Sequence, residues 1–211
     1  VAGAPVIKAD RVSLAHLFAQ ILMREAANPV AACKFAAATA AAVEQCDLID
    51  GVKDGVIDEP RMCSYDPGEL IGTITGDCGV ITEADVRIMR RMLEGARRED
   101  GSFLWYGLWH GAPYTATANT GGSPLEGRPT TNGLNRVRYF LTQDRTYDWT
   151  TLTLDAFELL WDQSTEQYGA VYGSDDPDLS AFRERGGKLI IWHGGADGGV
   201  PVQRGGGGVS V

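Results

Sequence analysis

Two short apolar segments at opposite ends of the chain constrain its fold most. Residues 1–6, Val-Ala-Gly-Ala-Pro-Val, are small and apolar, and their proline is typical of the end of a buried strand. Residues 188–192, Lys-Leu-Ile-Ile-Trp, follow a glycine pair and form the β-rich apolar run found in buried parallel strands. The sequence therefore predicts an α/β fold with two core strands far apart along the chain.

Apolar periodicity predicts that the segment between these strands is mainly helical. Apolar residues recur at helical spacing in several stretches, and Thr82 with Asp85 has the pattern of a capping box. Helices are expected at residues 13–27, at 30–45, after Thr82 and at 151–168. Residues 101–148 are rich in glycine and aromatic side chains, show little periodicity and are expected to form a long ordered loop.

The length of this helical segment predicts an inserted domain. A βαβ crossover commonly needs only one helix with short loops on either side. We therefore interpret residues 13–185 as an insertion, with residues 1–12 and 186–203 as the flanking core segments. Residues 204–211 are low in complexity and are expected to be a tail without a function.

Composition argues against two classes of partner. The formal net charge is −9, whereas nucleic-acid binding needs clustered Lys and Arg, and no apolar run approaches the roughly 20 residues that cross a bilayer. We expect neither a nucleic-acid nor a membrane partner. The four cysteines lack C-x-x-C pairs, which favours one or two structural disulfides in a secreted protein.

The strongest chemical signal is an acidic stretch with the pattern D-x-x-D-G-x-x-D-G. Its carboxylates belong to Asp47, Asp50, Asp54 and Asp58. Such crowding is unfavourable unless a cation offsets it. Calcium suits the stretch because it takes about six to eight hard oxygen ligands, whereas zinc prefers His or Cys. The spacing is not that of an EF-hand, and the alternative is an acidic turn in contact with solvent.

The acidic stretch also resembles a known motif. The run C-D-x-x-D-G-V-x-D-G-V-I, followed by Pro60 and Cys63, is similar to the calcium motif in the lid of tannases, feruloyl esterases and monohydroxyethyl terephthalate hydrolases. The resemblance implies an α/β-hydrolase fold whose inserted lid domain would be residues 13–185. It implies a structural calcium ion bound by the side chains of Asp47, Asp50 and Asp54 and the carbonyls of Val52 and Val56.

The same resemblance implies a disulfide between Cys46 and Cys63 that pins the acidic stretch, and it leaves Asp58 outside the ligand set. Cys78 could match one cysteine of a second lid disulfide, but the usual partner position offers no cysteine. A bond between Cys33 and Cys78 and two free buried thiols therefore both remain open.

A second resemblance concerns the C-terminal strand and its following loop. Residues 186–197, G-G-K-L-I-I-W-H-G-G-A-D, resemble the segment that delivers the acid of the Ser-His-Asp triad in this family, which implies that Asp197 is that acid. Gly198 and Gly199 depart from the bulkier residues common there. Residues 1–5 resemble the family segment shortly after the nucleophile elbow.

Asp197 is the one triad member that the sequence offers. No G-x-S-x-G elbow occurs, and Ser123 lacks both the second glycine and a preceding apolar strand. The family's catalytic His lies further toward the C-terminus than this chain reaches. We expect His193 to orient the loop around Asp197, and we assign no chemistry to His16 or His110.

These resemblances imply a serine esterase that acts on a small phenolic ester, such as a feruloyl or galloyl ester. They also imply that this chain packs against the remaining segments of the catalytic domain. The alternatives are a calcium-binding structural lid fragment without activity and a terephthalate-monoester hydrolase. Five aromatic residues are candidates to pack against a phenolic ring, although a role in the lid's own core is favoured for each: Trp105, Tyr106, Trp109, Tyr114 and Tyr139.

Overall fold

The computed structural model describes residues 2–202, so the whole of the predicted tail at 204–211 lies outside the described residues, as do Val1 and Gln203. The two apolar end segments form a two-stranded parallel sheet. Strand β1 (Ala2–Gly3) pairs with β4 (Ile191–Trp192), with Ala2 opposite Ile191 and Gly3 opposite Trp192. The amides of Ala2 and Ala4 donate to the carbonyls of Ile190 and Trp192 at 2.8 Å. Both predicted strands are thus present, but β4 is shorter than the apolar run and is exposed, so the prediction that it is buried is wrong for the described residues.

Helix α1 (Ala9–Glu25) forms the centre of the structure. Its apolar side chains at positions 14, 17, 18 and 21 are buried, as helical spacing predicts, and it packs against α4 (Thr131–Asn135) and α5 (Leu154–Tyr172). The helix begins at Ala9, four residues before the predicted Ser13, and directly follows Lys8, which has a left-handed conformation with φ 59°. Helix α5 continues past the predicted residue 168.

Two further helices and two disulfides form the other side of the structure. Helices α2 (Ala32–Cys46) and α3 (Glu83–Glu94) lie close to their predicted positions, and Thr82 and Asp85 form the predicted capping box. Cys46 is bonded to Cys63 with Cα atoms 5.4 Å apart, which confirms the expected pair. Cys33 is bonded to Cys78 with Cα atoms 6.4 Å apart, so the alternative of free thiols is wrong.

The prediction that residues 101–148 are loop throughout is wrong in part. They contain a short hairpin of β2 (Thr120–Gly121) and β3 (Glu126–Gly127), then α4, which continues as a π-helix over Arg136–Leu141. Gly133 lets α4 approach α1 closely, since a Cβ there would lie 2.7 Å from a Leu17 methyl carbon. Glycine and asparagine are poor helix formers, so packing and not propensity places this helix.

A short helix, α6 (Ser180–Glu184), precedes β4 and was not predicted. The main core lies between α1, α3, α5 and the aromatic side chains of residues 101–148. In it, the rings of Trp105 and Trp161 meet edge-on at 5.8 Å, and those of Phe18 and Phe157 lie 6.1 Å apart. Among residues 2–202, no helix combines the length and apolar character that crossing a membrane requires.

Candidate functional site

The loop that follows β4 holds Asp197 in a defined orientation. The amides of Gly199 and Val200 donate to Asp197 Oδ1 at 2.9 and 2.8 Å, and the Asp197 amide donates to the Gly194 carbonyl at 3.2 Å. The side chain is 30% exposed. Backbone donors therefore fix one carboxylate oxygen, which leaves Oδ2 as the oxygen that can accept a hydrogen bond from a further residue.

His193 bonds to the same loop. Its Nε2 lies 2.8 Å from the Val200 carbonyl oxygen and 3.4 Å from Asp197 Oδ2. A carbonyl only accepts, so Nε2 carries the proton and donates to Val200. The longer distance to Asp197 makes that contact the weaker of the two. The expected loop-orienting role of His193 stays a prediction, and this bond is the contact through which it would act.

His16 reaches the loop from α1. Its Nε2 lies 2.7 Å from the Gly199 carbonyl oxygen, and Nδ1 lies 3.4 Å from the hydroxyl of Thr130. Burial lowers the pKa of His16 below its ordinary value, while the Gly199 bond and the nearby charge of Asp197 oppose that shift. No chemistry was expected of His16 from its sequence neighbours. No local signal could have found it, because 183 positions separate it from Gly199.

Close packing explains one glycine of this loop, Gly198. A Cβ on Gly198 would lie 2.5 Å from the Pro113 carbonyl oxygen and 2.7 Å from Ala116 Cβ, so a bulkier residue would push the loop away from the segment beneath it. A cavity of about 40 Å³ remains between this loop and α1, beside His16 and Tyr106. It is far smaller than the roughly 300 Å³ of a typical ligand pocket.

The five aromatic candidates occupy different environments. Trp105 and Tyr114 are each 4% exposed, and Tyr114 stacks on Phe35 at 5.2 Å, so both belong to the core. Burial raises the pKa of the Tyr114 hydroxyl. Tyr139 is 51% exposed. Tyr106 and Trp109 are half-buried, the first beside the small cavity and the second 3.4 Å from the position of a Cβ on Gly195. These two adjoin the Asp197 loop.

The acidic stretch is folded by its own carboxylates. The buried Asp47 accepts from the amides of Asp54 and Gly55 at 3.1 and 2.9 Å through Oδ1. Asp50 accepts from Val52 at 2.8 Å, and Asp54 accepts from the amide of residue 56 at 3.1 Å. Each carboxylate uses one oxygen in a turn. The two glycines, at 51 and 55, have φ of 91° and 82°, a left-handed conformation that favours glycine.

Negative charge remains concentrated in this stretch. A hydrogen bond with Asp50 and repulsion from Asp50 and Asp54 raise the pKa of Asp58 above its ordinary value. Between residues 2 and 202, no group of three or more His, Cys, Asp or Glu side chains is arranged to hold a metal ion. The donor chemistry, carboxylates and carbonyls at an exposed loop, still fits a hard cation. The calcium ligand set therefore stays a prediction.

Comparisons with known proteins show which family the chain resembles. The family model described as "Tannase and feruloyl esterase" matches residues 1–205. A probable feruloyl esterase of Arthroderma benhamiae is 32% identical over 203 residues, which cover 93% of this chain and 37% of that protein. Feruloyl esterase B of Aspergillus niger is 31% identical over 157 residues, or 74% of this chain and 28% of the relative.

Solved structures show the same fold. Tannin acyl hydrolase of Aspergillus niger superposes with a TM-score of 0.84 at 18% identity, over 94% of this chain and 39% of that one. Feruloyl esterase B of Aspergillus oryzae gives 0.75 at 23% identity, over 95% and 40%. The described residues thus have the α/β-hydrolase-like fold of these neighbours, and the chain spans less than half the length of the proteins it matches.

Proposed function

Because the chain belongs to the tannase and feruloyl esterase family, we propose that it is part of a serine carboxylic ester hydrolase. Residues 1–12 and 186–203 belong to the α/β-hydrolase core of that enzyme, and residues 13–185 are its lid. The parallel pairing of β1 with β4 supports this division, because it brings the two ends of the insertion together at one sheet. Asp197 follows β4 at its carboxyl end, where the sites of open α/β sheets lie.

The orientation of Asp197 is the observation that carries the proposal. Its Oδ1 is held by two backbone amides, and its Oδ2 can accept the Nδ1 proton of a histidine outside these residues. That bond would hold the imidazole in the correct tautomer and stabilise the imidazolium formed when the base takes the proton of the serine nucleophile. The serine and the histidine come from segments of the enzyme that this chain does not include.

The proposed substrate is a small phenolic ester, which accords with the names of two similar proteins, a probable feruloyl esterase and a tannin acyl hydrolase. Tyr106 and Trp109 are the aromatic candidates for contact with the phenolic ring, since they adjoin the Asp197 loop and are not fully buried. A secreted location accords with the two disulfides, which persist in oxidising compartments.

We also propose a structural calcium ion at the acidic stretch. The side chains of Asp47, Asp50 and Asp54 and the carbonyls of Val52 and Val56 would hold it. The bound cation would neutralise the charge that now raises the pKa of Asp58. The Cys46–Cys63 disulfide adjoins this stretch and limits its freedom in the absence of the ion.

The test uses the complete enzyme that contains these residues, assayed on methyl ferulate, methyl gallate and a terephthalate monoester. Asp197→Asn should lower kcat by about 10³- to 10⁴-fold on the ester that is hydrolysed, because the amide selects the wrong histidine tautomer. Asp178→Asn is a matched control, since Asp178 also accepts from a turn amide, that of Ser180 at 2.9 Å, but is exposed and lies before α6, outside the Asp197 loop.

Full activity of the Asp197 variant would refute its assignment as the triad acid. Hydrolysis of the terephthalate monoester alone would replace the phenolic substrate with the terephthalate alternative. Absence of hydrolysis of all three esters by the complete protein would favour the alternative of a structural lid without activity.

A further inference from the structure

We propose that His16 is a positioning residue for Asp197, and that it acts through the peptide group joining Gly199 to Val200. The inference rests on the proposed function, because it gives His16 a role only if Asp197 is the triad acid. It links the first long helix of the lid to the catalytic-acid loop, a coupling that neither the family match nor the sequence patterns assign.

The geometry of a single peptide group carries the inference. His16 Nε2 lies 2.7 Å from the Gly199 carbonyl oxygen. The amide N–H of Val200, which belongs to the same planar peptide group, donates to Asp197 Oδ1 at 2.8 Å. Fixing one end of a rigid plane limits the movement of the other. When the carbonyl of a peptide group accepts a hydrogen bond, the N–H of the same group becomes more polarised. The bond from the Val200 N–H to the Asp197 carboxylate is thereby strengthened.

His16 provides an anchor that the loop does not provide for itself. The loop contains Gly198 and Gly199, whose backbone freedom makes its conformation costly to fix. His193 also bonds to the loop, at the Val200 carbonyl, but it lies only seven residues away and belongs to the same segment. His16 instead projects from α1, whose apolar face is buried in the main core.

The partners of His16 define its protonation state. The Gly199 carbonyl can only accept, so Nε2 carries a proton, while Nδ1 faces the Thr130 hydroxyl, which can donate at 3.4 Å. The neutral imidazole satisfies both contacts, and burial favours that neutral form. His16 thus makes the bond to Gly199 without needing a charge, which accords with a positioning role and not with proton transfer.

The experiment replaces His16 in the complete enzyme. His16→Leu removes the donor at similar volume and should lower kcat by about 10- to 100-fold with little change in KM, because the triad acid is displaced while the substrate still binds. Hydrogen exchange of the Gly199 and Val200 amides should become faster in the same variant. His16→Gln, which keeps a donor of comparable reach, should restore part of both.

Arg24→Met is the matched structural control. Arg24 lies two turns further along α1 and donates to the carbonyls of Thr150 and Leu152 at 2.7 and 2.6 Å, so its loss removes similar bonds to a different segment. It should lower the melting temperature and leave kcat unchanged. If His16→Leu does not fold, His16→Asn tests the same bond with a polar side chain too short to reach Gly199.

Asp197→Asn separates the two proposals. If Asp197→Asn abolishes activity while His16→Leu or His16→Asn leaves kcat and the loop amide exchange at wild-type values, the positioning role is refuted and the proposed function stands. If Asp197→Asn retains activity, the triad assignment fails instead. If Arg24→Met unexpectedly lowers kcat as much as His16→Leu does, the role of His16 is also refuted, because both falls would then reflect a general loss of structure.

Discussion

The buried carboxylate of Asp85 should contribute more to stability than any exposed ion pair in the described structure. Asp85 is 1% exposed and accepts hydrogen bonds from Lys34 Nζ at 2.8 Å and from Asn28 at 3.1 Å. These bonds tie α3 to α2 and to the segment between α1 and α2. Asp85 also accepts from the amide of Thr82 at 2.8 Å as part of the capping box. The substitution Asp85→Asn keeps the shape and removes the charge.

The structure sets the size of the effect. A hydrogen bond to a charged group contributes about 1.5–3 kcal/mol, and breaking a buried ion pair costs about 3–5 kcal/mol. The Lys34 side chain is 14% exposed, so water partly compensates its ammonium group. We expect Asp85→Asn to lower the free energy of unfolding by about 2–3 kcal/mol, which is a large part of the roughly 5–15 kcal/mol typical of a domain.

The effect should depend on pH in a defined direction. Burial raises the pKa of Asp85, but the hydrogen bond from Lys34 and those from Thr82 and Asn28 lower it by more. A carboxyl whose folded pKa is depressed stabilises fully above its unfolded pKa of about 3.9, and that contribution is lost as the pH falls through the lower folded value. The difference between wild type and variant should therefore be constant near neutrality and shrink below about pH 4.

Urea denaturation of both proteins measures the difference, with Asp66→Asn as the control. Asp66 forms two bonds to Arg90 at 2.8 and 2.9 Å, but both side chains are about half exposed, at 51% and 46%. An exposed pair of this kind should contribute under about 1 kcal/mol. Equal losses in the two variants, or a loss in Asp85→Asn that is unchanged at pH 3, would refute the reasoning.

Two further predictions concern the acidic stretch and the helix contacts. A calcium chelator should lower the melting temperature of the protein by several degrees, because a ligand at about 100 times its Kd adds about 2.7 kcal/mol to the free energy of unfolding. Asp54→Asn should abolish this response to the chelator. A melting temperature that the chelator leaves unchanged would contradict the calcium proposal. Gly133→Ala should destabilise by about 1–3 kcal/mol because its Cβ would press on Leu17. In Gly169→Ala of α5, the new Cβ would lie no closer than 3.9 Å to a neighbouring atom, so this variant should be stabilised by about 0.5–1 kcal/mol. Melting temperatures that shifted in the same direction in both variants would contradict the packing argument.

Local features of the sequence determined most of the elements. The apolar end segments predicted β1 and β4, helical periodicity predicted α1 and α5, the alanine-rich composition of residues 30–45 predicted α2, and Thr82 with Asp85 marked the start of α3. These signals work because hydrophobic spacing and capping act within a few residues of one another. The spacing of Cys46 and Cys63 around the acidic stretch belonged to a recognisable motif, and their bond is present.

Tertiary structure alone decided the contacts between distant segments. Helix α4 and its π-helical extension form where glycine and asparagine disfavour a helix, because the close approach to α1 compensates for poor propensity. The pairing of Cys33 with Cys78 depended on the placement of α2 beside a distant turn. His16 meets the Asp197 loop only because the chain folds back from β4 onto α1, and no local rule of spacing reports a contact between residues so far apart in sequence.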